Sequence, residues 1–551
     1  MPRAPQVLGI GDSTRLAKRL GWLDPIQVGA MALALARWGP TLAAVYAACA
    51  TRHPNDTAIV DDRASVSFRE LDQRSSSLAS GLRSLELDRG GHLGVLCANH
   101  AGFVEVVVAA AKAGIPVVLL NTGFAGPQLG EVAEREGVGA IACDADLVGV
   151  VEASGFGGQV IVVDGEPGDH TSLSDIRDHG SKRRLMPSLP SVPVLLTSGT
   201  TGTPKGARRD ARTAGINSAI GLLQGVPYRT RDVSVIPTPL FHAWGLAQLT
   251  IAATTGSTAV LVRRFTPEAT FAAVESNRAT VLAVVPIMLQ RMLATPHTDA
   301  APDVSSRDMS SLRIVATSGS ALPAAVATRW MDRFGDNLYN MYGSTEVGQA
   351  TVATPDDLRA APGTAGRVIA GSTVEVVDHR GNPVEPGQTG LIVVGNDAQF
   401  SGYTGGGTKE QVSGLMSSGD VGFFDTDGRL FVTGRADDMI VSGGENVFPL
   451  EIEDVLLAHP DVVDVMVVGV PDPEFGQRLA ALIVARSGAA LDADAVRTLV
   501  RERLARHKVP RDVTFVDEIP RNTTGKVLRS PIAAERVSSP RRPRVPPPVD
   551  D

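Results

Sequence analysis

The segment of this 551-residue chain with the clearest chemistry runs from Leu195 to Gly206 and reads Leu-Leu-Thr-Ser-Gly-Thr-Thr-Gly-Thr-Pro-Lys-Gly. An apolar stretch passes into hydroxyl residues, glycines and a single lysine, Lys205. Glycines allow backbone amides to converge on an anion, hydroxyls donate further hydrogen bonds, and the lysine supplies mobile positive charge. The segment therefore predicts a polyphosphate site. Pro204 before the lysine and Gly206 after it distinguish the segment from a Walker A loop.

Two further segments each offer one carboxylate among glycine and hydroxyl residues. In Asn340–Gly348, Glu346 suits a Mg²⁺ site, because magnesium takes few protein ligands and completes its shell with phosphate oxygens. In Ser417–Gly422, Asp420 is expected in a tight turn, where a carboxylate can accept two hydroxyl hydrogen bonds from a ribose diol. An aspartate that merely caps a type I turn is the alternative for this second segment.

A lysine near the C-terminus sits in a different setting. The segment Ile519–Arg529 places Lys526 directly after Gly525. When a carboxylate attacks a phosphate, both reactants are negative, and a mobile ammonium beside them neutralises the charge as the transition state forms. The pattern therefore predicts a catalytic lysine.

Together these segments resemble the motifs of the adenylate-forming, or AMP-binding, superfamily, which includes acyl-CoA synthetases, adenylation domains of peptide synthetases and firefly-type luciferases. The motifs occur in family order, and the resemblance covers roughly residues 40–535. It implies a reaction in two steps. A carboxylate attacks ATP·Mg²⁺ to give acyl-AMP and pyrophosphate, and the thiol of coenzyme A then attacks the acyl-adenylate.

The resemblance also implies roles for individual residues. Glu346 would bind Mg²⁺, Thr345 would contact phosphate, and both would act with Lys526 as the catalytic set. The implied ATP-binding residues are Thr197, Ser198, Gly199, Thr200, Thr201, Gly202, Lys205, Gly319, Ser320, Ala321, Tyr342, Thr345, Asp420, Arg435 and Lys526.

The segment Thr433–Glu453 resembles the family's hinge and coenzyme A loop. Asp437 matches the hinge between a large and a small domain, and Gly443 and Gly444 match a turn that lies against the pantetheine arm after domain rotation. Many members carry lysine where this chain has Val441, and we interpret the valine as a mark of the acyl-CoA synthetase-like subfamily.

A lone histidine lies between aromatic residues in Pro237–Gly245. A histidine beside Phe241 and Trp244 is more often a packed core residue than a catalyst. In the family this position borders the acyl pocket. We therefore expect His242 and Trp244 near the substrate, and we assign no proton transfer to the histidine.

The elements that must position these residues alternate between apolar strands and helical stretches from about residue 55 onward. Such alternation predicts an α/β fold with doubly wound parallel sheets, and the shorter Gly- and Pro-punctuated strands after about residue 365 predict a small β unit. A small mobile α+β domain follows. The predicted units are an N-terminal helical extension (1–54), a large AMP-binding domain (55–436), a small C-terminal cap domain (437–535) and a disordered tail (536–551).

Composition narrows the function classes. Asp and Glu number 60 against 52 for Lys and Arg, a net charge of −8, which argues against nucleic acid as the main partner. We interpret Cys49, Cys97 and Cys143 as too dispersed for a disulfide framework and as falling within no His/Cys metal-ligand spacing. A reducing, cytoplasmic location is the expectation.

The apolar stretch at residues 26–36 is too short for a membrane span, which needs about 20 residues. We favour a helix docked on the body of the protein. Because Arg15, Lys18, Arg19 and Arg37 flank the stretch, the alternative is peripheral contact of residues 15–37 with the inner face of the membrane.

The activity that we expect is ATP- and Mg²⁺-dependent activation of a medium- or long-chain fatty acid, followed by transfer to coenzyme A. The alternatives are a fatty acyl-AMP ligase that delivers to an acyl carrier protein, a CoA ligase for an aryl or other carboxylic acid, and a luciferase-like oxygenase. An amino acid activator is disfavoured, because Phe241–Gly245 offers no acidic residue to a substrate ammonium. A non-catalytic nucleotide-binding protein is a further alternative, against which Lys205 and Lys526 both argue.

Overall fold

The computed structural model describes residues 10–20, 24–85, 91–180, 190–197, 204–209, 215–294, 307–522 and 525–529. Ser198–Gly202 of the predicted ATP-binding set and the predicted tail lie outside the described residues. The predicted fold class is confirmed: a large N-terminal α/β body with parallel sheets precedes a small C-terminal α+β unit.

Helices cover the faces of the sheets. Several begin at a side-chain cap, as at Ser67, whose hydroxyl accepts from the Glu70 amide while the Glu70 carboxylate accepts from the Ser67 amide. The described α-helices are α1 Ile10–Arg19, α2 Pro25–Trp38, α3 Leu42–Arg52, α4 Phe68–Ser84, α5 Ala101–Ala113, α6 Gly126–Arg135, α7 Val148–Glu152, α8 Leu173–Asp178, α9 Ile216–Gly225, α10 Ala243–Thr254, α11 Pro267–Ser276, α12 Pro286–Ala294, α13 Ala324–Phe334, α14 Pro355–Ala360, α15 Pro449–Leu457 and α16 Ala493–Arg503.

The strands are short in the large body and longer in the small unit. The described strands are β1 Thr57–Val60, β2 Ser65–Ser67, β3 His92–Leu96, β4 Val117–Leu119, β5 Val138–Asp144, β6 Gln159–Asp164, β7 Thr171–Ser172, β8 Val194–Thr197, β9 Lys205–Arg208, β10 Val233–Ile236, β11 Thr258–Leu261, β12 Val281–Val284, β13 Ile314–Thr317, β14 Leu338–Ser344, β15 Gly348–Ala353, β16 Arg367–Val368, β17 Ser372–Val377, β18 Gly390–Asn396, β19 Gly402–Tyr403, β20 Gln411–Val412, β21 Leu415–Phe424, β22 Leu430–Arg435, β23 Ile440–Ser442, β24 Glu445–Val447, β25 Val462–Asp472, β26 Gly476–Ala485 and β27 Asp512–Phe515.

Two mainly parallel sheets form the large body. The described strands run β16-β15-β14-β13-β12-β10-β11-β1-β2 in one sheet and β19-β9-β8-β4-β3-β5-β6-β7 in the other. Every residue of β12 and β13 is buried, because helices cover both faces of a parallel sheet. Loops that follow such strands gather at one edge, which is where ligands bind in open α/β sheets.

Two smaller sheets follow in the chain. Strands β17, β18, β20, β21 and β22 pair antiparallel as the predicted small β unit. The last sheet has the order β24-β23-β26-β25, with β27 parallel to β26, and it forms the C-terminal unit with α15 and α16. That unit has its own apolar core, which includes Ile452, Leu456, Val467 and Ile483.

The N-terminal helices pack on the large body. Helix α2 contributes Ala34 and Trp38 to the core shared with α3, as expected for a docked helix. The helix nevertheless exposes Ile26 and Leu33 to solvent, and Val28 and Leu35 are also partly exposed. No helix among the described residues is long and apolar enough to cross a membrane.

The cysteines require one correction. All three are free and buried. Cys97 and His100 do have a ligand-like spacing, contrary to the interpretation above, and they converge with Asp144 in the fold. The groups already have partners: His100 Nε2 lies 2.8 Å from Asp144 Oδ1, its Nδ1 accepts from the Gly102 amide at 3.1 Å, and the Cys97 thiol donates to the Ala142 carbonyl at 3.6 Å. Burial raises the pKa of the Cys97 thiol well above its usual range. Because the His100 side chain caps the start of α5, we interpret the cluster as part of that cap.

Candidate active site

A cavity of about 2190 Å³ lies between the large body and the C-terminal unit. Its wall is formed by residues at the ends of strands from both parallel sheets and by residues of the C-terminal unit. Most of the residues predicted from the sequence border it. Those are Thr197, Lys205, His242, Trp244, Gly319, Ser320, Ala321, Tyr342, Thr345, Glu346, Asp420, Arg435, Asp437 and Lys526.

The predicted polyphosphate segment is built on an antiparallel strand pair. Strands β8 and β9 pair with Thr197 opposite Lys205, and the Thr197 hydroxyl donates to the Lys205 carbonyl at 3.1 Å. The Lys205 ammonium lies 5.5 Å from the centre of the Tyr403 ring, a cation–π contact at the cavity wall. Gly206 is needed for packing, because a Cβ there would come within 2.6 Å of the buried carboxylate of Glu136.

Glu346 lies at the tip of the hairpin formed by β14 and β15. The Ser344 hydroxyl donates to Glu346 Oε2 at 3.0 Å, and the Tyr403 hydroxyl donates to Oε1 at 3.2 Å. Ser344 Oγ in turn accepts from the backbone amides of Glu346 and Val347. These bonds orient one carboxylate among oxygen donors, a donor set that fits a hard cation such as Mg²⁺.

Tyr342, Asp420 and Arg435 form a second polar group in the cavity. The Tyr342 hydroxyl donates to Asp420 Oδ2 at 2.7 Å, and Arg435 Nη1 lies 3.6 Å from Oδ1. Burial raises the pKa of Asp420, while the hydrogen bond from Tyr342 and the charge of Arg435 counteract this. The predicted tight turn around Asp420 is wrong: the residue lies within β21, opposite Arg435 on β22, and a β-bulge follows it.

The segment Gly319–Ala321 follows the buried strand β13. Gly319 adopts φ +92°, a backbone conformation that side chains rarely allow. The hydroxyl of the preceding Ser318 donates to the Met341 carbonyl at 2.7 Å, which ties this loop to β14 next to Tyr342. The loop and the Tyr342–Asp420 group therefore border the same part of the cavity.

His242 and Trp244 lie at the start of α10. The Trp244 indole donates to the Val284 carbonyl at 2.9 Å, and the rings of His242 and Phe241 have centroids 4.3 Å apart. Burial lowers the pKa of His242 to about 3. The imidazole is therefore neutral near pH 7, which agrees with assigning it no proton transfer.

Lys526 enters the cavity from the C-terminal unit. Its backbone amide donates to the Asn522 side chain at 2.9 Å, and burial together with the nearby Arg435 charge lowers the pKa of its ammonium. Gly525, with φ +80°, packs so closely on the large body that a Cβ there would lie 2.4 Å from Ile287 Cγ2. The ammonium is therefore close enough to feel the charges of Asp420 and Arg435 where the two units are in close contact.

The predicted hinge and coenzyme A residues are separated in the structure. Asp437 borders the cavity and accepts from Arg435 Nε at 2.8 Å. Gly443 and Gly444 form the turn between β23 and β24 with φ +61° and +84°, and they do not line the cavity. The structure therefore brings Asp437 to the ATP-side residues and leaves the two glycines outside this group.

Two residues of the cavity wall that bond to predicted site residues, Tyr403 and Arg209, were not found from the sequence. Tyr403 lies far from Glu346 in the chain and belongs to no recognised motif, so no local signal identifies it. Arg209 directly follows β9 and borders the cavity, and its Nη2 donates to the Thr345 carbonyl at 3.1 Å. A cation directly after the polyphosphate segment was a signal that could have been used.

Comparison with known proteins gives two family matches. Residues 46–404 match the model described as AMP-binding enzyme, and residues 451–526 match its C-terminal domain. A feruloyl-CoA synthase of Amycolatopsis sp is 32% identical over 87% of this chain and 96% of its own length. An indoleacetate–CoA ligase of Aromatoleum aromaticum is 32% identical over 87% of this chain and 95% of its own length.

A solved structure shares the fold. The o-succinylbenzoate CoA synthetase of Bacillus subtilis, in complex with its acyl-adenylate intermediate, superposes with a TM-score of 0.77 at 26% identity. The match covers 89% of this chain and 97% of that one. The similarity therefore spans both the large body and the C-terminal unit.

Proposed function

The chain belongs to the AMP-binding enzymes, and on that premise we propose that it activates an apolar, aromatic carboxylic acid as its acyl-adenylate and transfers the acyl group to coenzyme A. It is an acid–thiol ligase that uses ATP, Mg²⁺ and coenzyme A. The observation that carries the proposal is the meeting of Lys526 with the Tyr342–Asp420–Arg435 group and Glu346 in one cavity. We propose the boundary between the large and small domains between Ala436 and Asp437.

In the first step the carboxylate of the acid attacks the α-phosphate of ATP and pyrophosphate leaves. We propose that Asp420 accepts hydrogen bonds from the ribose hydroxyls, that Tyr342 and Gly319–Ala321 lie against adenine, and that Lys526 neutralises charge at the α-phosphate. Glu346 would hold Mg²⁺, which neutralises phosphate charge when bound. Thr197, Thr345 and Lys205 would bind phosphate oxygens.

In the second step the thiol of coenzyme A attacks the acyl carbonyl and AMP leaves. Lys526 serves the first step only, so the small domain must move before the second. We propose that Asp437 is the hinge and that the turn at Gly443 and Gly444 then lies against the pantetheine arm. This turn does not line the cavity that holds the ATP-side residues, which supports a rearrangement between the two steps.

The substrate class is the part of the sequence prediction that changes. The fatty acid expected from the motifs is less well supported than an aromatic acid, because the relatives named above act, by their names, on ferulate and indoleacetate. The neutral imidazole of His242 and the indole of Trp244 would offer an aromatic acid flat partners.

One observation favours a fatty acid as the second candidate. Apolar side chains of α2, α9 and α10 also line the cavity. The side chains on this wall include Val28, Met31, Leu35, Leu222, Leu223, Leu246 and Ile251. Such a wall would accommodate an alkyl chain as well as a ring system.

Pyrophosphate release from ATP, measured across aromatic and straight-chain acids with and without coenzyme A, tests the proposal. We expect release with aromatic acids and formation of the CoA thioester. Acyl-AMP that accumulates unchanged when coenzyme A is added, yet disappears with an acyl carrier protein, would favour the carrier-protein ligase. ATP binding without pyrophosphate release from any acid would favour the non-catalytic alternative.

Membrane contact and a cytoplasmic location stay predictions. The exposed apolar side chains of α2, above all Ile26 at 73% and Leu33 at 69% exposure, support contact with a lipid surface. Sedimentation with anionic vesicles, compared with the variant Ile26→Ser/Leu33→Ser, tests it. Equal sedimentation of both proteins would contradict a role for α2.

A further inference from the structure

Arg209 is a cation in the cavity wall to which no role has been given above. It stands immediately after β9, beyond the polyphosphate segment, and its Nη2 donates to the Thr345 carbonyl at 3.1 Å. The carboxylate of Glu346, which follows Thr345 in the chain, attracts the positive charge of Arg209. Arg209 is therefore held beside the two residues proposed to bind phosphate and Mg²⁺.

One N–H group of the Arg209 guanidinium is not used as a donor to any described residue. Its Nε is buried and has no hydrogen-bond partner among the residues that the structure describes. Burial lowers the pKa of the group and Glu346 raises it, and an arginine stays charged at any ordinary pH. A buried N–H of a charged group without an acceptor is costly, so this donor is available to bind an anion that enters the cavity.

The neighbouring arginine provides a contrast. Arg208 is the last residue of β9, pairs with Gly402 across the sheet edge and is exposed. Successive side chains of a strand point to opposite faces, so Arg208 and Arg209 face different surroundings. Arg209 borders the cavity and Arg208 does not.

We propose that Arg209 binds the β- and γ-phosphates of ATP and the pyrophosphate that leaves. The inference rests on the proposed function, since it takes the Thr345–Glu346 end of the cavity as the polyphosphate end. A guanidinium presents parallel N–H donors that match phosphate oxygens, and the bond to Thr345 fixes its plane. The positive charge also offsets the Glu346 carboxylate, which would otherwise repel the polyphosphate.

Calorimetric binding of ATP·Mg²⁺, pyrophosphate·Mg²⁺ and AMP to the whole protein tests the role, because AMP lacks the two outer phosphates. In Arg209→Gln we expect affinity for ATP and pyrophosphate to fall about 10- to 100-fold, the range for a hydrogen bond to a charged group, while AMP affinity stays unchanged. Arg209→Lys keeps the charge but loses the parallel N–H donors of the guanidinium. We therefore expect a smaller loss of ATP affinity, again without change in AMP affinity. Arg208→Gln is the matched control and should bind all three ligands as the wild type does.

Three outcomes would overturn the inference: equal weakening of AMP and ATP in Arg209→Gln, which indicates a structural role; a raised KM for the carboxylic acid with unchanged ATP affinity; or the same loss in Arg208→Gln. If Arg209→Gln does not fold, the ATP-to-AMP affinity ratio of Arg209→Lys decides alone. A wild-type protein that binds ATP but converts no acid would refute the ligase proposal and leave the arginine test valid.

Discussion

The two sides of the cavity differ in how their polar groups are held. On the side of the large body, Tyr342 already bonds to Asp420, and Glu346 accepts from both Ser344 and Tyr403. On the side of the small unit, the Lys526 ammonium forms no ion pair with a described residue. The carboxylates around it, Asp420, Asp437 and Asp438, are instead paired with Arg435 or Arg529.

This difference separates binding from catalysis. The groups of the large body are oriented before any nucleotide arrives, so they cost little to reorganise. The ammonium of the small unit is left without a carboxylate partner, so its charge is available to a phosphate. Substitutions on the two sides should therefore change different kinetic constants.

The largest effect is expected for Lys526→Ala. Adenylation should fall on the order of 10³-fold, because charge at the α-phosphate is no longer neutralised, while thioester formation from supplied acyl-AMP should be nearly intact. Pyrophosphate release and CoA-thioester formation are measured separately. Equal loss in both half-reactions would show that the lysine has a structural role and would remove the contrast between the two sides.

Glu346→Gln should follow with a loss of roughly 100-fold in adenylation. Glutamine keeps the shape of the side chain and one oxygen that can accept from Ser344 or Tyr403, but it loses the charge that attracts Mg²⁺. The measurement is pyrophosphate release as a function of Mg²⁺ concentration, where half-saturation should move upward. An unchanged Mg²⁺ dependence with the same loss of rate would place the metal elsewhere.

A smaller effect is expected for Asp420→Asn, which keeps one acceptor of the two that a ribose diol needs. The KM for ATP should rise about tenfold with kcat little changed. Comparison with 2′,3′-dideoxy-ATP is the control: the variant and the wild type should bind this analogue equally. A variant that also binds the analogue tenfold more weakly would assign Asp420 to the folding of the Tyr342 group.

The smallest effect concerns Asp454 on α15, which lines the cavity on the side of the small unit. Burial and the nearby Glu453 charge raise the pKa of this carboxyl to about 7, and its Oδ1 has no partner among the described residues. Because the pKa is raised in the folded protein, the ionised carboxylate lowers the free energy of unfolding. The loss is absent below the ordinary pKa of 3.8, grows as the pH rises, and is complete above about pH 7.

Asp454→Asn should therefore raise the melting temperature by roughly 1–3 °C at pH 8 and change it little at pH 4. Thermal unfolding at both pH values measures this, and Asp517→Asn, at an exposed position, is the matched control. A gain at pH 4 as large as at pH 8 would refute the titration and leave only a packing effect.

The sequence predicted those parts of the site that lie within one stretch of chain. Glu346, Asp420, Lys205 and Lys526 were each identified within a short motif, and the alternation of strands and helices predicted the fold class. The same local evidence could not show that Asp420 lies in a strand, since its place depends on pairing with Arg435.

Two contacts between distant parts of the chain were missed. Tyr403 reaches Glu346 across 57 residues, and Asp144 completes the cluster of Cys97 and His100 from another strand. Neither contact leaves a local pattern, because register and layer packing bring the partners together. Arg209 differs from these residues. The sequence shows that it follows the polyphosphate segment, but it does not show that the side chain points toward the cavity.

The packing of Gly525 on Ile287 sets how closely the small unit approaches the large body. Because Gly525 has a hydrogen atom where alanine has a methyl group, Lys526, the next residue, can lie close to the large body. Enlarging this residue would act as a spacer: Gly525→Ala, which also strains the backbone at φ +80°, should hold the lysine back while the cation itself remains. An enzyme altered in this way would keep every charged group and still lose the first half-reaction, because the lysine is held back from the large body.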